Sequence, residues 1–419
     1  MRDQTLTRRR FLLAAIGCGG AIVGGGTLLV MEPNRARYVA GDPRASAIAS
    51  DPVGDLIKAA PRARYWVSTA PGAASSCLDC HQPDEIEGIS EHDHEKLLIK
   101  CLLCAQGCVI AAGERGRCRA RIHVDGELRT LVYGRPITIH IDPIEKKPFY
   151  HFLPGSLAYS LATSGCPLHC KFCQNWEISQ ASPEDYSPRL VKPVAIVDAA
   201  SASAAPVIAF TYSEPTVFTE YLTDIARSAR KRDVRSVLVS CGFMNEAPLA
   251  EMCDVLDAIK IDLKGFSSDF YQKVCSAELA PVLRSIKQAS RSGKHLEIVN
   301  LVVPTLNDSD RMLDELAKWI LNELGPDVPV HFTRFHPDYQ LRNLPPTPIA
   351  TLERARAMAM DKGIHYAFVG NVPGHPGNNT YCPACGRPVI TRRAFFIDEM
   401  HVKGGHCEYC KEKIAGVWN

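Results

Sequence analysis

Three closely spaced cysteines are the residues best suited to chemistry in this sequence: Cys166, Cys170 and Cys173. Thiolates hold iron–sulfur clusters, and a four-iron cluster needs four ligands. Three protein thiolates therefore leave one iron with an open position, where another molecule can coordinate. The alternative is a zinc knuckle that takes His169 as its fourth ligand. The location of the cysteines directly after a predicted strand, together with Phe172 before the last of them, favours the cluster.

The elements that must position these cysteines begin at Leu157, where apolar runs alternate with helix-period segments. This alternation predicts an α/β fold with a parallel sheet and right-handed crossovers, either open or barrel-like. Six units and a seventh run are fewer than a complete eight-fold barrel requires. The expected strands are 157–164, 206–213, 236–241, 258–263, 295–303, 329–335 and 366–370, and clear helical segments are Val217–Arg232, Arg311–Leu324 and Ile349–Lys362.

The spacing Cys-x3-Cys-x2-Cys, with Phe172 before the third cysteine, resembles the signature of the radical S-adenosylmethionine (SAM) superfamily. That pattern covers about residues 160–370. Further segments resemble more narrowly the AmmeMemoRadiSam-system radical SAM enzymes, relatives of pyruvate formate-lyase activating enzymes, from about residue 98 to the C-terminus. These segments are Tyr133–Pro136, Asp142–Pro148, Gln174–Gln180, Thr211–Pro215 and Asn371–His375.

The resemblance implies a partial (βα)6 barrel with a [4Fe–4S] cluster at its mouth and SAM bound to the open iron. An electron from the reduced cluster would break the sulfonium bond and give methionine and a 5′-deoxyadenosyl radical for hydrogen abstraction. The implied enzyme is an oxidoreductase similar to activating enzymes. It needs an electron donor and acts on a protein or a small molecule.

The resemblance also implies cofactor contacts at the strand ends. Glu214 would accept a hydrogen bond from the methionine ammonium. Asp262 and Lys264 would reach the ribose and the carboxylate, although a structural ion pair at the barrel rim is the alternative for these two. No catalytic residue is assigned beyond the cluster. The implied contacts are Ser213, Glu214, Ser240, Asp262, Lys264 and His336, with Asn300 a weaker candidate.

Two more groups of four cysteines have metal-ligand spacing, and we name each by its position. The C-terminal thiol group, in two Cys-x2-Cys pairs, predicts a closed four-thiolate site with zinc as the first choice. The N-terminal thiol group suits zinc or an auxiliary cluster that feeds electrons to the first, and spacing alone does not separate these metals. The two groups are Cys382, Cys385, Cys407 and Cys410, and Cys101, Cys104, Cys108 and Cys118.

The N-terminal segment indicates export. Arg8, Arg9 and Arg10 precede Phe11 and an apolar stretch, which resembles a twin-arginine signal. The protein is then periplasmic or, if the stretch is an uncleaved anchor, attached to the membrane. A cytoplasmic location is the alternative, and export conflicts with the synthesis of SAM in the cytosol. After an export signal, the sequence Cys77-x2-Cys80-His81 suits covalent attachment of haem c, or its two cysteines join another metal group.

Composition sets the remaining limits. The formal net charge of +2 gives no electrostatic reason to expect a nucleic acid partner. Thirteen of the 17 cysteines lie in close-spaced groups, which favours metal sites over a disulfide framework. The competing function is an exported iron–sulfur and haem electron-transfer protein on the same scaffold. The predicted divisions are the signal or anchor (1–31), the linker with the haem-like segment (32–97), the four-cysteine and β-rich segment (98–156), the barrel (157–372) and the C-terminal ribbon (373–419).

Overall fold

A module of short strands comes first in the computed structural model, which describes residues 51–68, 98–186 and 189–419. Its strands form one three-stranded and one two-stranded antiparallel sheet. The N-terminal thiol group lies at the end of the second strand, in the loop that follows it, and just before the fourth strand. The elements are α1 (Pro52–Ala59), β1 (Trp66–Ser68), β2 (Leu98–Cys101), β3 (Val109–Ala111), β4 (Arg121–Val124) and β5 (Glu127–Thr130).

The central sheet has eight strands in strictly sequential order. The first strand is antiparallel to the second, and each later strand is parallel to its neighbour. The first and last strands form the edges, so the sheet is an open, incomplete barrel. The strands are β6 (Thr138–Pro143), β7 (Leu157–Ala162), β8 (Val207–Phe210), β9 (Arg235–Ser240), β10 (Ala258–Asp262), β11 (His295–Val302), β12 (Val330–Arg334) and β13 (Ala367–Gly370).

Helices connect the parallel strands, as the alternation in the sequence predicts. The strands are buried on both faces, with all four residues of β8 and of β13 buried, which requires helices to cover the outside of the sheet. The α/β fold with a parallel sheet is confirmed, with six strand–helix units and a seventh parallel strand. The helices are α2 (Trp176–Ser179), α3 (Pro193–Ala202), α4 (Thr219–Arg230), α5 (Glu246–Val255), α6 (Ser268–Phe270), α7 (Leu279–Arg291), α8 (Asp310–Leu324) and α9 (Ile349–Asp361).

Short helical turns complete these connections. 3-10 turns follow β6 and β13, two more lie in the β7–β8 and β8–β9 connections, and a π-helical turn follows α6. The turns are Ile144–Lys146, Pro183–Asp185, Pro215–Phe218, Tyr271–Cys275 and Pro376–Asn378.

The segment Phe149–Phe152 closes the amino-terminal end of the barrel, and we call it the floor. All four of its residues are buried. The fully buried carboxylate of Glu297 on β11 accepts hydrogen bonds from the backbone N–H groups of Tyr150 and His151 at 2.8–3.1 Å. It also bonds His331 Nε2 at 2.6 Å. Burial raises the pKa of the Glu297 carboxyl, but hydrogen bonds and charge from the His295 and His331 side chains outweigh burial and hold it well below its usual range.

The C-terminal ribbon packs against this floor. Val417 donates its N–H to His151 O at 2.8 Å, and Arg392 Nη2 donates to Tyr150 O at 2.8 Å. The C-terminal thiol group therefore lies near the amino-terminal end of the barrel. The ribbon strands are β14 (Thr380–Tyr381), β15 (Pro388–Arg393), β16 (Phe396–Met400), β17 (Val402–Lys403) and β18 (His406–Cys407).

Two sequence predictions fall outside this description. The leader and the haem-like segment Cys77–His81 lie among residues that the structure does not describe. Within the described residues, the helices are too short or too polar to cross a membrane.

Candidate active site

The three cysteines lie in the loop between β7 and α2, at residues 163–175, which we call the cluster loop. Cys170 is buried, and Cys166 and Cys173 are half-buried. The Cys173 N–H donates to Cys170 O at 3.1 Å, and the Leu168 N–H points at Cys166 Sγ from 3.4 Å. These contacts curl the backbone so that three thiols occupy one end of the barrel.

The π-helical turn Tyr271–Cys275 holds the cluster loop in place. The His169 N–H donates to Cys275 O at 3.1 Å, and the Lys171 N–H donates to Val274 O at 2.9 Å. The ring of Phe172 stacks on Phe270 with centroids 6.2 Å apart. The aromatic residue before the third cysteine therefore anchors the loop in the core.

Glu214 follows β8 and is buried, with 3% of its surface exposed. Its Oε1 accepts from Thr216 N at 3.1 Å, from Thr216 Oγ1 at 2.6 Å and from Ser240 Oγ at 2.7 Å. Its Oε2 accepts the Cys241 N–H at 2.8 Å, and the Cys241 thiol also hydrogen-bonds the carboxylate. The neighbouring Ser213 Oγ is buried and finds no hydrogen-bond partner among the described residues.

Asp262 ends β10 and forms ion pairs with two lysines. Lys264 Nζ lies 3.3 Å from Asp262 Oδ2, and Lys260 Nζ pairs with Oδ1. Burial opposes ionisation of Asp262, but the two ammonium groups outweigh it and hold the pKa of the carboxyl below its ordinary value. Burial likewise lowers the pKa of Lys264, but Asp262 and nearby thiols raise it well above its ordinary value.

The turn after β10 is fixed by side chains from β11 and from the loop that follows it. Asn300 Nδ2 donates to Leu263 O at 2.8 Å, and Asn307 Nδ2 donates to Lys264 O at 2.7 Å. Asn300 Oδ1 is buried and, like Ser213 Oγ, has no partner within the described ranges. His336 lies two residues after β12, half-buried, at the same end of the barrel.

All six implied cofactor contacts therefore follow the carboxyl ends of four strands, at the same end as the cluster loop. The structure joins Glu214 directly to Ser240, and Asp262 to Lys264. Three thiols suit a cluster with one open position. The unpartnered oxygens of Ser213 and Asn300 suit a polar ligand beside it. The residues fit the cluster and SAM.

Comparison with known proteins decides the family. The model of the radical SAM superfamily matches residues 160–320. An uncharacterized protein of Methanocaldococcus jannaschii is 43% identical over 318 residues, which is 75% of this chain and 95% of that protein. The chain belongs to the radical SAM superfamily. Members of this superfamily bind a [4Fe–4S] cluster and SAM.

Two further comparisons are with radical SAM proteins of stated type. A pyruvate formate-lyase-activating enzyme of Staphylococcus epidermidis is 24% identical over 212 residues, 46% of this chain and 84% of that enzyme. A radical SAM methyltransferase from Sphaerobacter thermophilus aligns in structure with a TM-score of 0.41 and 14% identity, over 68% of this chain and 76% of that one.

The C-terminal thiol group of this radical SAM protein has the geometry of a single-ion site. Its four sulfurs lie within 4.8 Å of one another. Two of the separations are 3.5 Å (Cys382–Cys410) and 3.9 Å (Cys385–Cys407). A tetrahedron with Zn–S bonds of about 2.3 Å has sulfurs about 3.8 Å apart, so these thiols fit one tetrahedral metal ion.

Sequence reasoning missed several residues of the site. Lys260 lies two residues before Asp262 on β10, and its strand alone does not indicate that the two side chains pair. Lys147 lies in the segment Asp142–Pro148, which resembles the radical SAM relatives, but the sequence alone does not indicate what its side chain binds. Its Nζ bonds Asp142 Oδ2 at 2.7 Å and Tyr212 OH at 2.9 Å, and burial lowers its pKa to about 8 despite the ion pair. The sequence feature that could have indicated this ion pair is the short spacing between Asp142, near the end of β6, and Lys147.

Proposed function

We propose that this protein reductively cleaves SAM at a [4Fe–4S] cluster and uses the resulting 5′-deoxyadenosyl radical to abstract hydrogen. The observation that carries the proposal is the convergence of three thiols with a polar ring at the carboxyl end of the barrel. An electron carrier needs the thiols alone. Buried, unpartnered oxygens on Ser213 and Asn300 support a bound cosubstrate, because buried polar groups without partners are rare in proteins.

The residues of the chain have separate tasks in this proposal. The cluster, when bound, supplies the single electron that breaks the sulfonium bond. Glu214 accepts from the methionine ammonium through its carboxylate, which hydrogen bonds from Thr216, Ser240 and Cys241 hold rigid. Asp262 accepts from the ribose hydroxyls, and Lys264 offers its ammonium to the carboxylate. Their ion pair fixes both side chains before the ligand arrives, which lowers the entropic cost of binding.

The substrate side of the proposal is an activating role toward a protein or a small molecule. It is supported by similarity to a pyruvate formate-lyase-activating enzyme, and by the segments that resemble AmmeMemoRadiSam-system enzymes. A one-electron donor is required in either case. Zinc in the C-terminal thiol group belongs to the same proposal, supported by the separations of its sulfurs.

Export through the twin-arginine route, with the leader as signal or anchor, remains part of the proposal on sequence grounds. The support is Arg8, Arg9 and Arg10 before an apolar stretch. A reporter fused after Ala60 should reach the far side of the membrane, and replacing the three arginines by lysine should keep it inside.

The test of the main proposal is cleavage of SAM by the full chain purified without oxygen. With reductant and SAM, the protein should release 5′-deoxyadenosine even without its true substrate. Controls without reductant, and with Cys166→Ala/Cys170→Ala/Cys173→Ala, should give none. If protein with an intact cluster released no 5′-deoxyadenosine, the result would contradict the proposed SAM cleavage and favour an electron-transfer function.

A further inference from the structure

The N-terminal thiol group is built into the fold beside the cluster loop. Cys101, Cys104 and Cys118 are buried and Cys108 is half-buried. Asn245, after β9, donates its N–H to Leu103 O at 3.3 Å and its Nδ2 to Leu102 O at 2.8 Å. The group is therefore docked on the carboxyl end of the barrel, the end that carries the proposed active site.

The spacing of its sulfurs differs from that of a single-ion site. In the C-terminal thiol group all four sulfurs lie within 4.8 Å of one another. In the N-terminal thiol group, whose four cysteines are all described, no three sulfurs meet that limit. The same is true of Cys166, Cys170 and Cys173. A cluster distributes its thiolates over several irons, so its ligand sulfurs stand farther apart than those around one zinc ion.

Hydrogen-bond donors point at these sulfurs and stabilise the thiolate form that binds a metal centre. Arg121 Nη1 lies 3.8 Å from Cys101 Sγ, and Arg117 N lies 3.4 Å from Cys108 Sγ. Backbone N–H groups of Gln106 and Ala120 donate to Cys104 and Cys118. Arg121 is 1% exposed, so its charge acts in a medium of low dielectric. Hydrogen bonds to cluster sulfurs are one of the factors that set reduction potential.

The two cysteine sites touch through their backbones. Gly165, the residue before Cys166, has φ +100°, and a Cβ built on it would lie 2.5 Å from Cys118 O. Gln106 Nε2 donates to Pro167 O at 3.1 Å. Cys118 therefore contacts the residue directly before Cys166, so the two cysteine groups are neighbours through their backbones.

We propose that Cys101, Cys104, Cys108 and Cys118 bind an iron–sulfur cluster rather than zinc, and that this cluster delivers the electron to the one held by the cluster loop. One electron enters from a low-potential one-electron donor protein. The same electron then passes on, so the first cluster is oxidised as the second is reduced. No bond forms or breaks, and no proton has to move. The electron role rests on the proposed function, whereas the metal assignment does not.

The metal assignment is tested in the full-length variant Cys166→Ala/Cys170→Ala/Cys173→Ala, purified without oxygen. We expect it to keep about half of the wild-type non-haem iron, with an electron paramagnetic resonance signal after reduction. Adding Cys104→Ala and Cys108→Ala should remove that iron, and adding Cys253→Ala, a buried thiol on α5, should not. A triple variant without iron, whether it holds a second zinc or no second metal, overturns the assignment. That result is independent of SAM cleavage.

The electron role is tested with Cys108→Ser, the half-buried ligand. Reduction of the cluster-loop centre by a reduced flavodoxin should slow severalfold, while reduction by dithionite, which reaches clusters directly, should be unchanged. Equal rates with flavodoxin in the variant and the wild type overturn the electron role. Cys253→Ala serves again as the matched control.

Discussion

The backbone N–H of Cys241 donates to Glu214 Oε2 at 2.8 Å, which ties the end of β9 to the end of β8. Glu214→Ala should therefore weaken SAM binding and also destabilise the fold. The loss of a charge-assisted hydrogen bond costs about 1.5–3 kcal/mol of binding, and the donors left buried cost about 1–3 kcal/mol of stability. Isothermal titration with SAM and denaturant unfolding measure the two effects.

Iron content should stay unchanged in Glu214→Ala, because the side chain does not bind the cluster. Glu177→Ala, an exposed glutamate in α2, is the matched control and should alter neither quantity. Unchanged SAM affinity in Glu214→Ala would remove Glu214 from the proposed binding site.

Gly165→Ala should disturb both cysteine sites at once. The new Cβ would lie 2.5 Å from Cys118 O, and a left-handed φ of +100° is unfavourable for any residue with a Cβ. Iron bound per chain should fall. Gly293→Ala is the control, since Gly293 has φ +72° and open space around its Cβ position. Gly293→Ala introduces the unfavourable backbone conformation without a steric contact. Equal iron content in the two variants would show that the contact with Cys118 does not affect cluster binding.

Removing one ligand of the C-terminal thiol group, where we propose zinc, should loosen the ribbon and leave the cluster of the barrel in place. Cys385→Ser should lose about one zinc per chain and lower the melting temperature, because metal binding free energy in such ribbons is folding free energy. Elemental analysis and calorimetry measure these changes. The iron content should not change, as the group lies near the floor. A loss of iron equal to the loss of zinc would contradict this separation.

Acidification should weaken the attachment of the ribbon through His151. Burial lowers the pKa of His151 to about 3. Between pH 6.5 and 3, His151 is therefore protonated in the unfolded chain but neutral in the folded protein. Stability from this group is therefore full above about pH 6.5 and declines below it. The loss is roughly 2 kcal/mol by pH 5.

His151→Gln is the informative variant for this effect. Its amide can still donate to Ala415 O and accept from Thr380 Oγ1 but cannot ionise. The difference in unfolding free energy between pH 7.5 and pH 5 should shrink in this variant, and should persist in His365→Gln, an exposed control. The same pH dependence in wild type and His151→Gln would assign acid sensitivity elsewhere.

Covalent haem at Cys77 and Cys80 is a prediction from sequence that lies outside the described residues. Protein produced in a host with haem-maturation machinery should show pyridine haemochrome absorption after denaturation. Cys77→Ala/Cys80→Ala should abolish it. Absorption equal to that of the double variant would mean that these cysteines serve another site.

Periodicity in the sequence predicted the strands of the barrel closely. The runs at 258–263 and 366–370 became β10 (Ala258–Asp262) and β13 (Ala367–Gly370). The run at 206–213 became the shorter β8 (Val207–Phe210), because Tyr212 turns the chain with φ +69° toward Glu214. Apolar runs in the sequence predict these strands, since a strand that is buried on both faces must be apolar along its length.

Contacts between distant segments could not be predicted in this way. The sequence gives no sign that Ser240 bonds Glu214, or that Gly165 lies on Cys118. Lys260 reads as a polar interruption in an apolar strand, and only the barrel shows that it pairs with Asp262. These relationships depend on how strands and loops meet in space. Metal-ligand spacing, in contrast, is local and could be recognised directly.

The closed floor has a kinetic consequence. Since Glu297 holds Tyr150 and His151 across the amino-terminal end, we do not expect small molecules to enter the barrel from that end. A large substrate bound over the carboxyl end would then cover a SAM molecule bound beneath it. If the carboxyl end is the main route to the site, SAM binds before the large substrate, and an excess of that substrate slows turnover by blocking the binding of SAM.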